Sequence, residues 1–170
     1  MKIFVRIILS IVIFGICAMW IYALFFASKE VINRVDDEQW REQSEEICRV
    51  AEHERELLID LRLVGDSGPN ALAERADLVD LATDTLENMV DSIAELAVAD
   101  AKGAAIVPLW LADYRIYIAD RRSYTALLRN GVNEPFAESQ VDQIPLSEKL
   151  STFAADNQLT SCKPPVDLSV

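Results

Sequence analysis

The chain has 170 residues, 51% of them apolar, with a formal net charge of −12, one histidine and three cysteines. That length holds one modest domain plus an extension, since domains usually run to roughly 100–200 residues. The composition excludes a large multidomain enzyme, a collagen-like fibre, a strongly basic nucleic-acid binder and a His-rich or zinc-cluster metal centre.

The first element is apolar. Between Ile3 and Ala27 only Arg6, Ser10 and Gly15 interrupt the run, and 23 of the first 27 residues are apolar. A helix needs about 20 such residues to cross a ~30 Å hydrocarbon core. A cleaved signal peptide has a shorter apolar stretch, about 7–15 residues, ending in small side chains. Here the run is longer and closes on Phe25-Phe26-Ala27. A lipoprotein fits poorly too, because Ile16 before Cys17 is bulkier than the residue that normally precedes a lipidated cysteine. The reading is an uncleaved anchor with its cytoplasmic stub over residues 1–27, followed by a domain over 28–170.

Charge sets the expected orientation. Lys2 and Arg6 flank one end of the run, while Asp36, Asp37 and Glu38 follow the other. The positive-inside rule then places the N-terminus in the cytoplasm and the domain outside the plasma membrane. Trp20, Tyr22, Phe25 and Phe26 suit an aromatic belt at the outer end. All 28 acidic residues and 14 of the 16 basic ones lie beyond the run, so the domain carries −14. Such a charge repels phosphate-rich partners and argues against nucleic acid.

From Ser28 to about Val64 there is no Pro or Gly, and the pattern predicts a helix that continues from the anchor without a break. Ile47, Val50, Ala51, Leu57, Leu58, Leu61 and Val64 recur at helical spacing and are expected to form its inward face. Glu45 and Arg49, four apart, are expected to pair across one turn. Gly65 to Asn70 reads as a turn. A second helix is expected over about Ala71–Val98, with Leu72, Ala76, Val79, Leu86, Met89, Ile93 and Leu96 inward. Ala101 to Ala105 reads as its break. Pro108 suits the first turn of a third helix, which runs to about Arg129 and is capped by Asn130-Gly131. Leu111, Tyr114, Ile118, Thr125 and Leu128 are expected to face the core. Asn133 to Pro145 reads as an extended arm or small hairpin. Ser147 is the expected N-cap of a fourth helix to about Asp156, burying Leu150 and Phe153. Cys162-Lys163-Pro164-Pro165 cannot be helical and must lie as a strap.

The cysteines fit an outer domain. Cys17 falls inside the apolar run. Cys48 and Cys162 remain, and in an oxidising compartment they are the disulfide candidates; the alternative is two buried free thiols. The fold class is therefore all-α: a transmembrane helix, then an extracytoplasmic three- to four-helix bundle with a disulfide-strapped tail.

Little in the sequence suggests catalysis. His53 lies in a charged stretch between Glu52 and Glu56, without His-Glu-x-x-His or Glu-x-x-His spacing, and reads as a solvated side chain. With one histidine and no Gly-x-Ser-x-Gly elbow, a hydrolase is disfavoured. No cofactor or metal is expected. The densest unusual feature is residues 110–124. Trp110, Tyr114, Tyr117, Arg121 and Tyr124 share one helical face, with Arg121 among rings and in need of a carboxylate or a stacking contact. That face is either the bundle core with one buried ion pair or an interaction surface, since Trp, Tyr and Arg dominate binding hot spots. Trp40, about 20 Å beyond the anchor along a helix, either packs on the domain or meets a partner.

Trp-Leu-Ala-Asp-Tyr-Arg (110–115), Asp-Arg-Arg-x-Tyr (120–124), Phe-Ala-x-x-Asn (153–157) and Cys-Lys-Pro-Pro (162–165), with the anchor, resemble a group of uncharacterised single-pass membrane proteins of high-GC Gram-positive bacteria. The resemblance implies location and architecture and no activity. The expected function is a non-enzymatic, membrane-anchored interaction domain or accessory subunit of an envelope complex, with a protein partner. The alternative is a small-ligand-sensing bundle that signals through a partner's transmembrane helix.

Overall fold

The computed structural model describes residues 2–25, 32–58 and 68–168, and the chain divides into two units, 1–32 and 33–170. In the first, α1 spans Lys2–Phe25. Its segment Arg6–Phe25 has a mean hydropathy of 2.6 and no buried residue. A helix of that length and hydropathy is long enough to span a bilayer.

In the second unit the chain first runs through non-helical residues 33–37, then through α2 (Glu38–Glu56), α3 (Ala71–Ala94) and α4 (Ala101–Arg129). Two two-residue strands follow, β1 (Gln140–Val141) and β2 (Ile144–Pro145), then α5 (Leu146–Asp156) and a 3₁₀ turn at Thr160–Cys162. The fold is all-α, with five helices among the described residues.

The expected unbroken helix from the anchor is corrected. α2 starts at Glu38 because the Asp37 carboxylate accepts from the Trp40 N–H at 3.0 Å, an N-cap contact. Its other oxygen accepts from the Ala99 N–H at 2.8 Å. Asp100 answers in kind: it caps α4 by accepting from the Gly103 N–H at 2.6 Å, and it accepts from the Asp37 N–H at 3.3 Å. The starts of α2 and α4 are thus fastened by two interlocked caps. Gly103 lies beneath them, where an added Cβ would come within 2.5–2.8 Å of Asp100, Val98 and Val35.

Other boundaries also move. The inward face of α2 is Trp40, Ser44, Cys48, Ala51 and Arg55. Ile47 is only half-buried, and Val50 and Leu57 are exposed. Leu61, Val64 and the start of the expected turn lie outside the described residues. Arg49 pairs with Glu46, not Glu45, at 2.9 Å; Glu45 instead accepts from the Ser161 N–H at 3.2 Å. Ala101 to Ala105 belongs to α4, and the break comes earlier, at residues 95–100. Pro108 therefore sits inside the helix. Both it and Ala104, whose carbonyl loses its usual donor there, are exposed, so the lost bond falls on the solvent side.

Most of the expected inward faces of α3 and α4 are correct, but Leu72 is only half-buried, and Leu96 is half-buried beyond α3, which ends at Ala94 and not near Val98. Ala76, Val79, Leu86, Met89 and Ile93 are buried, as are Leu111, Tyr114, Ile118, Thr125 and Leu128. α4 ends as the Asn-Gly pair predicts. Gly131 takes φ +80°, and the Val132 and Gly131 N–H groups donate to the carbonyls of Leu127 and Leu128 at 3.0 Å, a Schellman closure.

The arm is a hairpin, with Asp142 and Gln143 at positive φ between antiparallel β1 and β2. Ser147 is not the cap of α5, which begins one residue earlier after Pro145. Glu138, from the arm, does the capping: its carboxylate accepts from both the N–H and the hydroxyl of Ser147 at 2.7 Å. Leu150 and Phe153 are buried as expected.

Candidate functional site

The inward face of α4 gathers the residues singled out in the sequence. Trp110, Tyr114, Tyr117, Arg121 and Tyr124 are all at most 5% exposed, and Trp40 is at 1%. As a free interaction surface this set is corrected: it is core. Trp110 stacks on Phe153 with centroids 4.8 Å apart and meets Tyr114 edge-on at 5.4 Å. Phe136 from the arm packs edge-on against Tyr117 and Tyr124.

The polar ends of these side chains hold the strap. Cys48 and Cys162 lie at bonding distance, Cα to Cα 4.9 Å, and tie α2 to the 3₁₀ turn across 114 residues. The Tyr114 hydroxyl donates to the Cys162 carbonyl at 2.6 Å, and the Tyr117 hydroxyl to that of Pro165 at 3.4 Å. Burial pushes both phenols upward and keeps them protonated donors. Arg121 has no exposed side-chain surface and forms a bidentate pair with Asp167 at 2.7 and 2.8 Å. Its Nε donates to Thr83 at 2.9 Å, and its guanidinium carbon lies 6.0 Å from the Tyr117 ring centroid. Burial alone would lower the Arg121 pKa; Asp167 more than offsets it. Leu168 closes the strap by packing with Ala76, Val79, Tyr124 and Leu128.

Arg55 is the second buried guanidinium, and it donates to Thr85 at 3.3 Å. Burial lowers its pKa, with the Tyr114 hydroxyl and the Glu52 and Asp167 carboxylates opposing the shift. Asn157, fully buried, fixes the start of the domain: it accepts from the Val35 N–H at 2.7 Å and donates to the Asn33 carbonyl at 2.8 Å. His53 is exposed, 3.9 Å from Glu56. Among the described residues no group of three or more His, Cys, Asp or Glu side chains is placed to share an ion.

The opposite face of α4 carries a second apolar pattern. Ala105, Leu109, Ala112, Ile116, Ala119, Ser123 and Ala126 follow one another at spacings of four and three, and every one is exposed. Leu109 is 65% exposed and Ile116 45%. This is a heptad seam, with Leu, Ile and Ser at one position and Ala at the other. Charges flank it and are tied inward. On one side Arg115 meets Asp91 at 3.4 Å, Arg122 meets Asp80 and Glu87 at 3.0 Å and also Asp84, and Arg129 meets Asp77 at 2.7 Å and Asp80 at 2.6 Å. On the other side Asp113 meets Lys149 at 2.7 Å, and Asp120 accepts from the Ser139 N–H at 2.7 Å. The seam is thus a strip of small and apolar side chains between two charged borders, of which Arg115 is held only by its long, exposed pair with Asp91. Sequence reasoning missed it by following only the aromatic face. The available signal was that α4 is apolar on two opposite sides, a pattern normal for a helix packed on both.

The chain matches no family model, no curated protein and no solved structure.

Proposed function

We propose that this protein is a non-enzymatic, membrane-anchored helical domain, held outside the cytoplasm, that serves as an interaction or accessory subunit of an envelope complex. The observation that carries the reading is the exposed seam of α4. A soluble helix normally turns one apolar stripe inward and a polar face outward. Here the inward stripe is filled by the core and strap, and a second stripe of seven residues, spaced over 105–126, remains exposed. Exposed apolar strips with polar borders mark protein-binding surfaces. The apolar α1 supports the anchor, and the cysteine pair supports an oxidising compartment. The resemblance to single-pass membrane proteins agrees with this placement and assigns no activity.

Site-specific photocrosslinking in intact cells tests the reading. A photoreactive residue at Ile116 is expected to give a discrete protein adduct. The same probe at exposed Glu54 on α2 is the control. Equal, diffuse labelling from both positions would contradict an interaction surface on α4.

A further inference from the structure

The exposed seam leaves open what covers it. We propose that the seam of α4 is covered by the same seam of a second copy of this chain, with the two helices side by side and parallel. The inference rests on the anchored interaction-domain reading and names its partner.

Shape is the first argument. Leu109, Ile116 and Ser123 alternate with Ala112, Ala119 and Ala126 in strict heptad spacing. In a parallel, in-register pair each position meets its own copy across the axis, and the alanines let the backbones approach to the close end of the usual 8–10 Å. The strip is self-complementary.

Charge selects the direction. Arg115 borders the seam on one side and Asp120, five residues on, borders it on the other. In a parallel pair that spacing sets each Arg115 against Asp120 of the second copy. An antiparallel pair would instead bring the arginine borders together and the aspartate borders together, with like charges opposed. Arg115 is free to reach across, because its 3.4 Å pair with Asp91 joins two side chains that are both more than half exposed.

Area sets the conditions. A seam about 33 Å long and one helix wide buries on the order of 300 Å² per copy. Interfaces stable in dilute solution bury about 800 Å² per partner. The seam therefore suits copies already confined to one surface, where anchoring raises the effective concentration and also makes the two domains point the same way.

The test uses the full chain in membrane vesicles, with Cys17→Ser to silence the lone thiol and Ser123→Cys as a near-isosteric probe on the seam. Mild oxidation is expected to double the apparent mass on a non-reducing gel. Ser92→Cys, exposed on α3, should give no such species. Adding Ile116→Glu, a change at an exposed side chain that the fold does not need, should abolish the Ser123→Cys product. No product above the Ser92→Cys background would overturn the proposal. So would an antiparallel pattern, in which co-expressed Leu109→Cys and Ser123→Cys chains link only to each other. If Ser123→Cys links instead to a different protein, the second copy is ruled out while the interaction-domain reading stands. The two failures are therefore distinguishable.

Discussion

Arg121 sits where a charge is most expensive, and the chain answers with groups from three directions: Asp167 on the strap, Thr83 on α3 and the Tyr117 ring on its own helix. Removing one member of a buried pair leaves the other uncompensated. Arg121→Ala is expected to cost about 3–5 kcal/mol, read from unfolding of the full chain in mild detergent. Asp167→Asn should cost less, about 1–3 kcal/mol, because its carboxylate is partly solvated and the amide retains one acceptor. Equal, negligible losses would mean that the strap is not held by this pair. Asp80 gives the pH dependence. Burial by itself raises its carboxyl, but hydrogen bonds from Arg122, Arg129 and Thr125 outweigh that and hold it below the ordinary 3.8. A depressed folded pKa means stability that is complete above the unfolded value and lost as the pH falls through the folded one. Stability should therefore fall from about pH 4 downward, and Asp80→Asn should flatten that acid limb. An unchanged acid limb in the variant would contradict the assignment.

Among the elements, the join between α2 and α4 is the most constrained. Gly103→Ala would gain up to about 1 kcal/mol of helix propensity. It also forces a methyl group against Val98 and Val35, whose branched stems cannot swing away, and against the capping Asp100. Overpacking of that kind costs about 1–3 kcal/mol, so a net loss in thermal stability is expected; a gain would show that the caps tolerate movement. This scale also shows what was legible in the sequence. The α4 C-terminus was, because Asn130-Gly131 is a local signal that needs no tertiary partner. The start of α5 was not, because its cap is Glu138, nine residues from Ser147 and brought there only by the hairpin. The α2 face was misread for a related reason. Its buried stripe includes Ser44 and Arg55, which burial patterns drawn from apolar residues pass over, while Val50 and Leu57 are left exposed. Tyr114, Tyr117 and Arg121 were recognisable as a set, but nothing local in the sequence tells a core from a surface. The deciding partners are strap carbonyls and Asp167, some 46–48 residues away.

For the whole molecule, the strongest of the long-range ties that join the strap to the bundle are the cysteine pair and the Arg121–Asp167 pair. Closing a loop of 114 residues stabilises by about 4–5 kcal/mol in the chain-entropy model. Cys48→Ser or Cys162→Ser should lower stability by that order, and non-reducing peptide mapping of the natural chain should recover one linked Cys48–Cys162 peptide. Free thiols at both sites would remove the staple and with it the argument for an oxidising compartment. The proposed placement of this domain is outside the cytoplasm, anchored by the apolar α1. The most direct measurement is labelling of intact spheroplasts with a membrane-impermeant amine reagent, followed by peptide mass spectrometry. The exposed Lys102 and Lys163 are predicted to be modified in intact spheroplasts. Both remaining unmodified until the membrane is permeabilised would contradict it.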